Sequence, residues 1–130
     1  MRSALWQLGF RPFFLFGSVF AFLSVAVWIA HLQGFVSHVG AGDPVSWHSH
    51  EMVFGFAGAV VAGFVLTAVQ NWTGIPGVNG RPLRLLFGVW ALARILIVIP
   101  EVPPLASAFV DLVFFPAVAI LLIPYFKDPD

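Results

Sequence analysis

Four runs of mostly apolar residues dominate this chain, each near the roughly 20 residues that a helix needs to cross a bilayer. They are Phe13 to Leu32, Met52 to Gln70, Leu85 to Ile99 and Leu105 to Phe126. Of 130 residues, 60% are hydrophobic and only 9% charged, too few charges for a water-facing shell around a core of this size. The pattern predicts an all-α fold, a four-helix transmembrane bundle forming one domain. Its spans fall at about 13–32, 44–70, 84–99 and 105–126, the second starting ahead of its apolar run at an Asp43-Pro44 helix start. The third is the shortest and carries Arg94. Arg2 precedes the first run as in a signal peptide. That run exceeds the roughly 7–15 residues of a signal h-region and no small-x-small cleavage site follows, so it reads as a retained helix.

Charge gives the bundle a direction. Arg2, Arg11, Arg81, Arg84 and Lys127 lie at the N-terminus, in the second loop and at the C-terminus. The first and third loops carry no Lys or Arg. The positive-inside rule therefore predicts that both termini are cytoplasmic. Trp47 and Trp72 bracket the second helix as interfacial tryptophans would. Net charge is zero and no basic run is present, which argues against nucleic acid as a partner. Cysteine is absent, which removes disulfides, zinc–thiolate sites, iron–sulfur clusters and covalently attached haem. Any metal must be held by His, Met or carboxylate.

Trp47-His48-Ser49-His50-Glu51 stands at the outer mouth of the second helix. Ionisable and metal-ligating side chains so near hydrocarbon carry a large penalty, and function is the default explanation for them. Residues two apart point about 200° away from each other around an α-helix, so His48 and His50 cannot bind one ion on regular geometry. His48 lines up with Gly55, Ala59 and Ala62, whereas His50 lines up with Phe54, Ala57, Val61 and Phe64. Gly55, Ala59 and Gly63 form a small-residue stripe that either packs a neighbouring helix or leaves room for a flat macrocycle. On that face His48 is the better internal ligand, with Met52 one turn away as a soft donor or simple filler. His31 ends the first helix on the same side, above Ser24, Ala21 and Gly17.

Arg94 and Asp111 both sit roughly 8–9 Å below the outer ends of the third and fourth helices, at about 1.5 Å per residue. Their matching depth predicts an ion pair. The sharper alternative sets Arg94 against a haem propionate and Asp111 against a histidine. His31, His48, His50, Glu51, Arg94 and Asp111 thus share the outer third of the bundle, above a nearly apolar remainder. Imidazoles at one depth suit haem iron or copper.

Three ordered blocks carry a resemblance. Leu8-Gly9-Phe10-Arg11-Pro12-Phe13-Phe14, Trp47-His48-x-His50-Glu51-Met52-x-Phe54-Gly55-Phe56 and Gly63-Phe64-x-Leu66-Thr67-Ala68-Val69-x-Asn71-Trp72-Thr73-Gly74 resemble the opening of the NnrS family. That family comprises polytopic bacterial inner-membrane proteins containing haem and copper and linked to nitric oxide and nitrosative stress. The resemblance implies a multi-pass protein of the bacterial inner (cytoplasmic) membrane. It marks His48, His50 and Glu51 as a metal-ligand set, and haem b, with copper as the other choice, as the cofactor. His31 and Arg94 join His48 and His50 as cofactor-binding residues on depth and face alone. Family members have about a dozen spans. Four spans here imply the N-terminal portion of such a bundle, a short member that pairs with a second copy, or a subunit recruited into a larger membrane complex.

The sequence therefore predicts a haem- or copper-binding membrane protein in nitric oxide handling or the nitrosative-stress response. No acidic residue lies in the inner half of a span, which argues against proton pumping. Binding, sensing or electron storage fits as well as catalysis, and no residue is marked as catalytic. The alternative is an accessory structural subunit of a larger respiratory or photosynthetic complex, without a cofactor of its own. There the 15 phenylalanines serve as packing surface and Arg94–Asp111 as a packing device.

Overall fold

The computed structural model describes residues 3–127. Four long helices make up the described chain, with no strand: α1 (Phe10–Leu32), α2 (Pro44–Thr73), α3 (Gly80–Ile97) and α4 (Pro104–Leu122). Short 3-10 turns precede α1 at Ala4–Trp6 and follow α4 at Ile123–Tyr125. Three helices are long and apolar enough to span a bilayer: α1, α2 and α4 with its terminal turn. Helix α3 carries Arg81, Arg84 and Arg94; its 18 residues rise about 27 Å, close to the hydrocarbon thickness.

The helix ends follow local chemistry. Asp43 caps α2, its Oδ1 accepting from the backbone N–H groups of Val45 and Ser46 at 3.0 Å each, with Pro44 at the first helical position. Gly74 ends α2 in the left-handed conformation, φ 72°, and its N–H returns to the Gln70 carbonyl at 2.9 Å. The second loop is pinned by Gly77 N–H to Gln70 Oε1 at 3.3 Å and by Tyr125 O–H to the Pro76 carbonyl at 2.9 Å.

Helix α1 packs along α2 and α3 along α4, around Phe13, Ala59, Ala62, Leu66, Leu83, Leu86, Trp90 and Phe114. Phe13 is wholly buried at the hub, with ring centroids 5.8 Å from Phe87, 6.4 Å from Trp90 and 5.8 Å from Phe114. Two of the sequence blocks meet here. The Phe10 N–H donates to Thr67 Oγ1 at 2.9 Å, and Thr67 O–H donates to the Gly63 carbonyl at 2.9 Å. A Cβ on Gly9 would stand 2.7 Å from Leu66 Cβ, so the backbone of the α1 entry lies directly on α2. The outward faces are apolar: Phe22, Leu105, Phe109 and Leu112 are each at least 65% exposed, as in a surface solvated by lipid.

The small-residue stripe is packing surface. A Cβ on Gly55 would meet Phe20 Cε1 at 2.5 Å, one on Gly63 would meet Phe13 Cβ at 3.0 Å, and one on Gly17 would meet Ala59 Cβ at 3.2 Å. Aromatic rings of α1 fill the space that a macrocycle would need. Trp47 also departs from expectation: it is 7% exposed, and its indole Nε1 is buried without a hydrogen-bond partner. Only Trp72, 61% exposed, sits as an interfacial tryptophan would.

Candidate metal and cofactor centre

Helix α2 is not α-helical throughout. Its first two turns, Pro44–His50, are α, Glu51–Ala57 is π-helical, and Gly58–Thr73 is α again. Widening the backbone loop from i→i+4 to i→i+5 needs an outside partner for the disturbed carbonyls. Helix α3 supplies two. Arg94 Nη1 donates to the Phe54 carbonyl and Trp90 Nε1 to the Gly55 carbonyl, both at 2.9 Å.

The π turns reset the faces. An α-helical projection puts His50 over Phe54, Ala57, Val61 and Phe64. His50 does stack on Phe54, centroids 4.6 Å apart and 20° between planes, but it faces α4, whereas Val61 and Phe64 are exposed. Glu51, the next residue, is completely buried.

These side chains close a ring of four charges. His50 Nδ1 lies 2.7 Å from Glu51 Oε1, and Glu51 Oε2 lies 2.7 Å from Arg94 Nε. Arg94 Nη2 contacts Asp111 Oδ1, and Asp111 Oδ2 lies 3.1 Å from His50 Nε2. The Glu51–Arg94 and Asp111–His50 sides are ion pairs by distance without hydrogen-bond alignment. Arg94 is also flanked by the rings of Phe20 and Trp90, at 5.9 and 5.8 Å from its guanidinium carbon. The Arg94–Asp111 contact expected from matching depth is present. Glu51 is an unforeseen second partner, and Asp111 does contact a histidine.

A neutral imidazole has one N–H, so two carboxylates facing both nitrogens of His50 are satisfied together only by the doubly protonated ring. Two carboxylates, one guanidinium and one imidazolium then sum to zero charge.

His50, Glu51 and Asp111 offer ligand atoms within 4.8 Å of one another, a group able to hold a metal ion. The third member is Asp111, whereas the sequence pointed to His48. As arranged, the spacing is that of hydrogen bonds. Two donors on one tetrahedral ion with bonds near 2.0 Å stand about 3.3 Å apart, and His50 Nδ1 and Glu51 Oε1 are closer than that. A cation here would compete with the His50 protons and with Arg94 for both carboxylates.

Two other histidines at this end, His48 and His31, lie elsewhere, around Trp28 of α1. His48 stacks on Trp28, centroids 4.8 Å apart and 11° between planes, and His31 lies 5.5 Å from the same ring. His31 Nδ1 is 2.7 Å from the Val36 carbonyl. A carbonyl only accepts, so Nδ1 carries a proton, and in the neutral tautomer that this selects the lone pair is on Nε2. Such a backbone contact is how proteins orient metal-ligating imidazoles. His48 Nδ1 is buried and has no partner. His48 and His50 therefore occupy separate environments, and Arg94 is held by protein groups.

A family model described as NnrS protein matches residues 4–129, nearly the whole chain. The chain belongs to the NnrS family. No curated protein and no solved structure matches it. As a member of NnrS it is an all-helical protein with helices fit for a bilayer, and its Trp47–Phe56 block holds His50, Glu51 and the π turns that organise the charge ring.

Proposed function

We propose that this NnrS-family chain is a multi-pass protein of the bacterial inner membrane, both termini cytoplasmic. In this reading it binds copper or haem b near its outer surface, in nitric oxide handling or the nitrosative-stress response. The observation that carries it is His48: a buried imidazole nitrogen with no partner, on the same tryptophan as a histidine whose Nδ1 is already committed to a carbonyl. His48 and His31 supply the ligating nitrogens, and Trp28 holds both rings. The bound metal would supply a site for a diatomic ligand. The His50–Glu51–Arg94–Asp111 ring positions the first turns of α2 that carry His48. Copper requires only imidazole donors. A haem would need further space at the Trp28 edge, which a second copy or a larger complex would complete, because the stripe is closed by Phe20 and Phe13.

A second reading places a divalent cation on His50, Glu51 and Asp111, favoured by the closeness of their ligand atoms. A third, an accessory subunit without a cofactor, is favoured by the completeness of the charge ring.

One experiment separates them: metal analysis and oxidised and dithionite-reduced absorption spectra of the detergent-purified protein, with His31→Ala, His48→Ala and Asp111→Asn. Loss of metal or of a Soret band in His48→Ala and His31→Ala supports the first. Loss confined to Asp111→Asn moves the site to the ring. A colourless, metal-free wild type that still assembles leaves the accessory role, and nitric oxide added to a coloured protein tests the ligand.

A further inference from the structure

At the opposite end, a cavity of about 610 Å³ opens between the turn before α1 and the start of α3. It is lined by Ser3, Trp6, Gln7, Asn79, Arg81 and Arg84, together with Gly80, and among the described residues by no carboxylate. Arg81 and Arg84 are three residues apart on one helix face. Among the described residues neither forms an ion pair, since every ion pair found there lies in the ring at the far end. Arg84 is held with its guanidinium carbon 5.8 Å over the Trp6 ring, and Trp6 packs edge-on against Phe87 at 5.5 Å. Arg84 therefore projects from a platform anchored in the core, and Arg81 lines the same cavity.

We infer that this cavity binds the phosphate of an anionic phospholipid headgroup. Two guanidinium forks match phosphate oxygens in geometry and charge, and Ser3, Gln7 and Asn79 add neutral hydrogen-bonding groups for the rest of a headgroup. The site stands where the apolar lengths of α1 and α3 begin, the level at which lipid phosphates lie. Leu85, beside Arg84 in sequence, is 73% exposed and offers apolar surface for an acyl chain. The volume far exceeds what a free phosphate fills, which favours the lipid.

The test is native mass spectrometry of the full chain in neutral detergent, titrated with phosphatidylglycerol or phosphatidylcholine. Wild type should retain phosphatidylglycerol at least about tenfold more tightly than R81Q/R84Q, the loss expected for two charge-assisted contacts, while R81K/R84K, which keeps the charge and loses the forks, should fall between them. Phosphatidylcholine should bind both forms equally weakly. Equal retention of phosphatidylglycerol by wild type and R81Q/R84Q would overturn the assignment. So would wild type that holds phosphatidylcholine as tightly, or that releases phosphatidylglycerol to excess inorganic phosphate; both of these arms use the unmutated protein.

Discussion

Arg94 is the residue on which the distal end depends. It meets two buried carboxylates and a main-chain carbonyl at once, so Arg94→Gln leaves the ring one negative charge out of balance, with His50 alone facing both carboxylates. Breaking a buried ion pair from one side typically lowers stability by about 3–5 kcal/mol. Arg94→Gln should fall in that range by unfolding in detergent, with Arg94→Lys less affected; a loss below about 1 kcal/mol would mean the ring carries no stability. Asp43 makes a smaller, pH-dependent contribution. Hydrogen bonds from Ser46, then from the Val45 backbone, hold its carboxyl below the usual carboxylate range. A carboxyl lowered in the folded state stabilises fully above its ordinary value near 4, and the contribution fades as pH falls toward the lower folded value. Asp43→Ala should therefore lower the melting temperature at pH 7 while matching wild type at the acid end of that window. Of these contacts, Arg94–Asp111 was legible from equal depth on adjacent helices. The partnership of Glu51 with Arg94 was not, because nothing in the local pattern says that a carboxylate next to His50 turns toward α3.

The element that sequence patterning missed is the π-helical segment of α2. Glu51–Ala57 has no composition that demands i→i+5 bonding; the cause lies in α3, where Arg94 and Trp90 capture the carbonyls of Phe54 and Gly55. An α-helical projection therefore aligned His50 with Val61 and Phe64, two turns and more beyond the π segment's start, and missed its approach to α4; it held at the Asp43-Pro44 start and for Ala59 and Gly63 in the regular part of α2. Trp90→Phe keeps the aromatic packing against Phe13 and Phe20 but removes the indole donor. It should lower stability by about 0.5–1.5 kcal/mol and change the NMR signals of the His50 ring. An unchanged His50 spectrum would show that the π turns do not depend on this bond. Gly55→Ala tests the opposite face: its Cβ meets Phe20 at 2.5 Å, and overpacking of this kind lowers stability by about 1–3 kcal/mol.

For the whole molecule, the absence of cysteine makes the proposed topology directly testable. Glu101→Cys and Ile75→Cys place single thiols in the exposed third and second loops. With both termini cytoplasmic, a membrane-impermeant maleimide should label Glu101→Cys in intact spheroplasts and Ile75→Cys only after permeabilisation; the reverse pattern would invert the protein. The bundle itself was legible, since apolar length and turn residues suffice to place four helices, whereas its inter-helix pairings arise from contacts distant in sequence. The charge ring also bears on biosynthesis. Helix α2 brings its own opposite pair, His50 with Glu51, and the α3–α4 hairpin brings another, Arg94 with Asp111. Each unit can leave the translocation machinery already neutralised, with no bare charge exposed to lipid while it waits for the other. Docking then keeps both pairs and adds Glu51–Arg94 and Asp111–His50, so the two self-sufficient pairs become one closed circuit that fixes the register between them.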